Sequence, residues 1–87
     1  MKVKDGFVIS KVGDKTVAVA SGTLCREFNG MITLNGTGKM MFEMLQRETT
    51  EEEMAQALVS GYGISFEQAA RDVRAFLDSL EKAGLLV

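Results

Sequence analysis

The sequence predicts an α+β domain in which a three-stranded antiparallel sheet is followed by three helices. Three observations carry this. Runs of strand-forming residues are confined to the first part of the chain, at Phe7-Val8-Ile9-Ser10-Lys11-Val12, Val17-Ala18-Val19-Ala20 and Met31-Ile32-Thr33-Leu34. Helical periodicity and two capping boxes, Thr50-Glu51-Glu52-Glu53 and Ser65-Phe66-Glu67-Gln68, fill the later part. A length of 87 residues, 46% of them hydrophobic and none proline, suits one compact core and is too short for two ordinary domains. Residues 1–87 therefore read as a single domain.

The first two strand runs flank Gly13-Asp14-Lys15, an interval suited to a hairpin, so they are expected to pair as antiparallel neighbours. Ser21-Gly22-Thr23 then punctuates the chain. The pattern of Leu24-Cys25-Arg26-Glu27-Phe28 fits a hairpin strand, a helical turn or an irregular lead-in. Asn29-Gly30 is a favoured pair for a type I′ turn, whose two central positions both need positive φ. In the third strand Ile32 and Leu34 share one face, Met31 and Thr33 the other.

Strand character stops at Asn35-Gly36-Thr37-Gly38. Asn35 or Thr37 can cap a helix there, and Met40, Met41, Phe42, Met44 and Leu45 supply its apolar surface. The methionines gathered at 31, 40, 41 and 44 could form an adaptable groove, but packing in a small irregular core is the expectation. Thr50 caps the second helix with Glu53 reaching back, and Met54, Ala57 and Leu58 form its inward stripe before Gly61-Tyr62-Gly63 ends it. The longest helix starts at Ser65. Its apolar residues Phe66, Ala69, Ala70, Val73, Phe76, Leu77, Leu80 and Ala83 recur every three or four positions. Gly84 is expected to end it and let Leu85-Leu86-Val87 fold back. Three strands cannot enclose a barrel, so their apolar face must pack on the helices.

Composition removes much of the usual catalytic equipment. The chain has no histidine, hence no imidazole base, triad member or imidazole metal ligand. Cys25 is the sole cysteine, cannot form an internal disulfide, and reads as a buried or semi-buried small hydrophobe rather than a nucleophile. Gly36-Thr37-Gly38-Lys39 has the wrong order for a Walker loop and reads as a strand-to-helix connection. Glu51, Glu52 and Glu53 point in different directions on a helix and serve the positive end of its dipole rather than a metal. Asp72 and Asp78 lie off the helical repeat for a carboxylate pair; Arg71 with Asp72 and Arg74 with Asp78 are ordinary surface pairs. The expectation is a non-enzyme with no catalytic residues, no cofactor and no metal. The opening Met1-Lys2-Val3-Lys4-Asp5 lacks the apolar stretch of a secretory signal, and no apolar run approaches the roughly 20 residues needed to cross a bilayer. A cytoplasmic location without a membrane partner follows as the expectation.

What remains is binding. Three strands and three helices permit a winged-helix-like arrangement, which makes a DNA-binding transcriptional regulator one reading. Charge weighs against it. Residues 1–42 carry Lys2, Lys4, Lys11, Lys15, Arg26 and Lys39 against three acids, but residues 43–87 carry nine acids against Arg47, Arg71, Arg74 and Lys82. A protein partner can use an exposed sheet edge instead, where an extended peptide completes the unpaired backbone donors and acceptors. The same edge would serve self-association, so a homo-oligomer or a purely structural oligomerisation subunit is the third reading.

The segment Ile32-Thr33-Leu34-Asn35-Gly36-Thr37-Gly38, the helix through Phe42-Glu43-Met44-Leu45, and the ending from Asp72-Val73-Arg74-Ala75-Phe76-Leu77 to Gly84-Leu85-Leu86 resemble the PqqD-like family. That family is named for coenzyme PQQ synthesis protein D, and its members are described as precursor-peptide recognition domains. The resemblance implies three strands and three helices in a winged-helix-like fold. It also implies that the leader of a ribosomally made precursor peptide adds antiparallel to the third strand, beside the last helix. On this chain the peptide-binding positions would be Met31, Ile32, Thr33 and Leu34 on the strand and Ala69, Asp72, Val73 and Phe76 on the helix. The implied partners are that leader and a separate modifying enzyme, commonly a radical S-adenosylmethionine enzyme. Ser21 to Phe28 makes the connection before the third strand longer than the simplest family pattern, and it could cover the edge or pack beside it.

Overall fold

The structure, a computed structural model, describes residues 1–28 and 30–87. Strands β1 (Phe7–Val12), β2 (Lys15–Ala20) and β3 (Met31–Leu34) form an antiparallel sheet in the order β1-β2-β3. Helices α1 (Gly36–Met44), α2 (Glu51–Tyr62) and α3 (Phe66–Lys82) follow. This is the predicted α+β order. Gly13-Asp14 closes the first hairpin, with Gly13 at φ 66°, the left-handed value a tight hairpin asks of its first central residue.

The open segment between β2 and β3 resolves as a helical turn, a 3-10 helix over Gly22–Arg26. Leu24 is its buried anchor, and the amides of Glu27 and Phe28 both donate to the Leu24 carbonyl. The Phe28 ring packs on Phe7 at 5.9 Å between centroids, and Phe7 meets Phe42 edge-on at 5.2 Å. Of the expected Asn29-Gly30 turn, Asn29 lies outside the described residues. Cys25 is exposed rather than buried. In a tight helix the residue after an inward anchor points away, and the Cys25 thiol donates to the Ala20 carbonyl at 3.2 Å.

The core lies between the inner face of the sheet and the helices. Phe7, Ala18, Ala20 and Leu34 meet Met41, Phe42 and Leu45, with Met54, Ala55 and Leu58 of α2 and Ala69, Val73, Leu77 and Leu80 of α3 completing it. Met40 and Met44 pack against this cluster, so the α1 methionines serve core packing, whereas Met31, expected to pack with them, is exposed on the outer face of the sheet. In α2 the buried arc is centred between Met54 and Ala55, and Ala57, expected to face inward, is only half-buried. Phe66, Ala70 and Ala83 likewise fall outside the buried stripe of α3. Gly84, at φ 73°, turns the chain after α3, and Leu85 returns to the core. Leu86 bridges Val3, and the Val87 amide donates to the Lys2 carbonyl at 2.8 Å. Val3, an isolated apolar residue among charges, is thus a core residue that periodicity does not reveal.

All three helices are capped where serine, threonine or asparagine was expected to cap them. Ser65 accepts from the Gln68 amide and Thr50 from the Glu53 amide, each at 3.1 Å; the Glu53 carboxylate reaches back to the Thr50 hydroxyl. Of the two candidates at the start of α1, Asn35 is the cap, accepting from the Gly38 amide at 2.7 Å and from the Thr37 hydroxyl at 3.1 Å. A Cβ at position 38 would stand 2.9 Å from Asn35 Oδ1, so glycine there keeps the cap in place. Asn35→Ala is expected to cost about 1 kcal/mol of stability, read as the shift of the urea midpoint at constant slope. On the surface Arg74 pairs with Asp78 at 3.0 Å and with Glu51, whereas Arg71 donates to Gln68 rather than to Asp72.

Candidate functional site

The register of the sheet decides which backbone groups of β3 are free. In an antiparallel sheet the N–H and C=O of one residue point the same way, and the direction alternates along the strand. The Ser21 amide donates to the Gly6 carbonyl at 2.8 Å, and the two-residue hairpin closes on Val12 and Lys15. Val8–Val19 and Ser10–Val17 are therefore the hydrogen-bonded pairs between β1 and β2, so Thr16 and Ala18 turn their backbone groups toward β3. Their partners there are Leu34 and Ile32. Ile32 and Leu34 consequently bond β2, and Met31 and Thr33 direct both N–H and C=O to the other side. Among the described residues β3 pairs with β2 alone, so that side is a sheet edge.

The side chains follow the complementary pattern. Leu34 is buried and Ile32 half-buried on the inner face, whereas Met31 and Thr33 are exposed on the outer one. The strand ends at Asn35, where the chain turns into α1 beside α3. A groove of about 380 Å³ opens there, lined by Asn35, Thr37, Met41, Asp72, Ala75 and Phe76. The Phe76 ring and Leu34 both lie against Gly38: a Cβ at that glycine would meet Phe76 Cε1 at 3.6 Å and Leu34 Cδ2 at 3.8 Å. Asp72 is half-buried and accepts from the Gln68 side-chain amide at 2.8 Å, which holds its carboxylate in place at the groove.

The eight residues selected from the sequence fall into three groups. Met31, Ile32 and Thr33 lie on the edge strand, and Asp72 and Phe76 line the adjoining groove. Leu34, Ala69 and Val73 belong to the hydrophobic core. Val73 also borders a different cleft, between α2 and α3, with Ala55, Phe66 and Ala70. The residues that pattern reading did not assign to the groove are Ala75, Met41, Asn35 and Thr37. Ala75 breaks the apolar repeat of the helix, so helical spacing does not mark it. Asn35 and Thr37 carried a capping signal that accounted for them without a second role.

The backbone geometry allows a defined kind of binding. An extended chain laid antiparallel along β3 could exchange hydrogen bonds with the N–H and C=O of both Met31 and Thr33. Four such bonds, at about 0.5–1.5 kcal/mol net each, supply affinity without any reading of sequence. Side chains of the added chain would alternate between the inner side, toward Ile32 and the groove, and the outer side, beside Met31.

Comparison with known proteins bears on the same architecture. No curated protein matches the chain. Among solved structures, TbiB1 in complex with the TbiA(beta) leader peptide is similar with a TM-score of 0.75 and 26% identity, covering 99% of this chain and 94% of that one. A lasso peptide synthetase B1 complexed with the leader peptide shares the fold, with a TM-score of 0.72 and 20% identity over 97% of this chain and 93% of that one. The family model of coenzyme PQQ synthesis protein D matches residues 15–86, which include β2, β3 and all three helices, and the chain belongs to the PqqD family.

Proposed function

We propose that the chain is a non-catalytic recognition domain that binds the leader of a ribosomally made precursor peptide by strand addition at β3 and presents it to a separate modifying enzyme. The observation that carries this is the free edge of β3, with the backbone groups of Met31 and Thr33 directed away from β2 beside a groove bordered by Asp72 and Phe76. Its similarity to TbiB1, solved with a leader peptide, supports the same reading. Ile32, Asp72 and Phe76 would contact inward-facing side chains of the leader. Leu34, Ala69 and Val73 would hold strand and helix in place from the core.

Such a domain accelerates modification by holding substrate and enzyme together, which raises their effective concentration. In this reading the chain forms and breaks no covalent bond itself, and the chemistry belongs to its partner, commonly a radical S-adenosylmethionine enzyme in this family. The DNA-binding alternative finds little support: α3 carries Glu67, Asp72, Asp78 and Glu81, and its Arg74 is paired with Asp78 and Glu51.

The test is titration of candidate leader peptides into the isotope-labelled chain while backbone amide shifts are followed. Perturbation is expected at Met31 to Leu34 and along α3 from Asp72 to Phe76. Saturable binding that leaves both segments unmoved would place the site elsewhere and reject strand addition.

A further inference from the structure

The outer face of the sheet carries an apolar row that ends at the free edge. Val8 pairs with Val19, and Val19 with Met31. Directly opposed residues of a sheet project from the same face, so these three side chains stand side by side across all three strands. Val8 is 52% exposed and Met31 58%, although both are large and apolar. The adjacent row, Ser10–Val17–Thr33, is different: its ends are polar, and Val17 is buried without belonging to the core cluster. A row of branched and flexible apolar side chains that stops at an unpaired edge is one position short.

We infer that the outer face is a second, specificity-determining half of the peptide site: the added strand continues the Val8–Val19–Met31 row with an apolar side chain opposite Met31. This rests on the strand-addition reading. Met31 would form a hydrogen-bonded pair with the ligand, about 5.5 Å apart at Cα, so its flexible thioether would reach the facing side chain. Thr33, two residues away on the same face, would favour a β-branched or hydroxyl-bearing residue opposite it. The recognised segment is therefore a short extended peptide with a Thr, Ser or Val facing Thr33 and, two residues further along the antiparallel ligand, a Leu, Ile, Val or Met facing Met31. The residue between them faces inward. Peptides with the same inward residue are then distinguished by what they present outward.

The probe is a decapeptide selected for binding from a random synthetic library, with its register on β3 fixed by amide shifts and cross-strand nuclear Overhauser contacts. Leu, Ala, Glu and Lys are placed in turn at its position opposite Met31 and tested against the native chain, Met31→Lys and Met31→Gln. The native chain is expected to prefer Leu over Glu by up to about fivefold, the upper end of the range of a cross-strand pair. Met31→Lys is expected to reverse that order, and Met31→Gln to flatten it. Because Met31 is exposed, neither substitution should move the melting temperature appreciably. If all three proteins rank the four peptides alike while the edge amides still shift, the outer face plays no part in selection and this inference fails alone. If no selected peptide shifts the edge amides, strand addition fails, and the inference with it.

Discussion

Thr33→Pro is expected to weaken peptide binding by about 10- to 100-fold, or roughly 1.5–3 kcal/mol, with the fold retained. Proline removes the one amide at this position and sets a ring where the added strand must approach. The alternation along β3 points that amide to the free edge rather than to β2, and edge strands accept proline on the side where the N–H faces solvent. Ile32→Pro is the matched contrast. Its amide faces Ala18, so the substitution should break the β2–β3 ladder and lower the melting temperature. Calorimetric titration of a leader peptide together with thermal unfolding separates the two effects. Greater destabilisation by Thr33→Pro than by Ile32→Pro would mean that Thr33, and not Ile32, bonds β2.

Phe42→Ala is expected to cost about 3–5 kcal/mol, the largest loss of stability predicted for the chain. Phe42 has no exposed surface, and its ring receives the edge of Phe7, which also packs on Phe28. Removing it leaves a cavity where the sheet meets α1 and the segment before β3. For a domain of this size the melting temperature should fall by about 15–30 °C. Phe76→Ala is the contrast here, because Phe76 is only half-buried at the groove and its loss should weaken peptide binding more than stability. A fall of less than about 5 °C for Phe42→Ala would mean that the Phe7–Phe42–Phe28 cluster does not anchor the core.

The elements themselves were legible because each rests on local chemistry. Thr50 and Ser65 cap the helices they were expected to cap, Gly13 closes the first hairpin, and Gly84 turns the tail back as its position implied. Burial departs from the local pattern where it depends on what another element brings. Ala57 and Ala55 are equally small, and only the position of α3, whose Phe66, Ala70 and Val73 border the same cleft as Ala55, decides that Ala55 is covered. Cys25 was expected inside because free cysteine usually is, but Leu24 occupies the single inward position of its short helix. Val3 had no periodic partner, and it is buried because Leu45 and the returning tail close over it.

The candidate site divides in the same way. The sequence by itself determined the strand Met31 to Leu34, its two faces, the capped turn at Asn35 and the amphipathic helix that follows Ser65, since alternation, capping and helical spacing are properties of neighbouring residues. Tertiary structure decided that β3 lies at an edge, because strand order follows from how the sheet packs on the helices. It also sent Ala69 and Val73 into the core while leaving Asp72 and Phe76 at the groove, a division of one helical face by what α1 and α2 place against it. The free hydrogen-bonding groups of Met31 and Thr33 were decided last and from furthest away. They follow from the register of a hairpin on the opposite side of the sheet, because alternation is carried across β2 from one edge to the other.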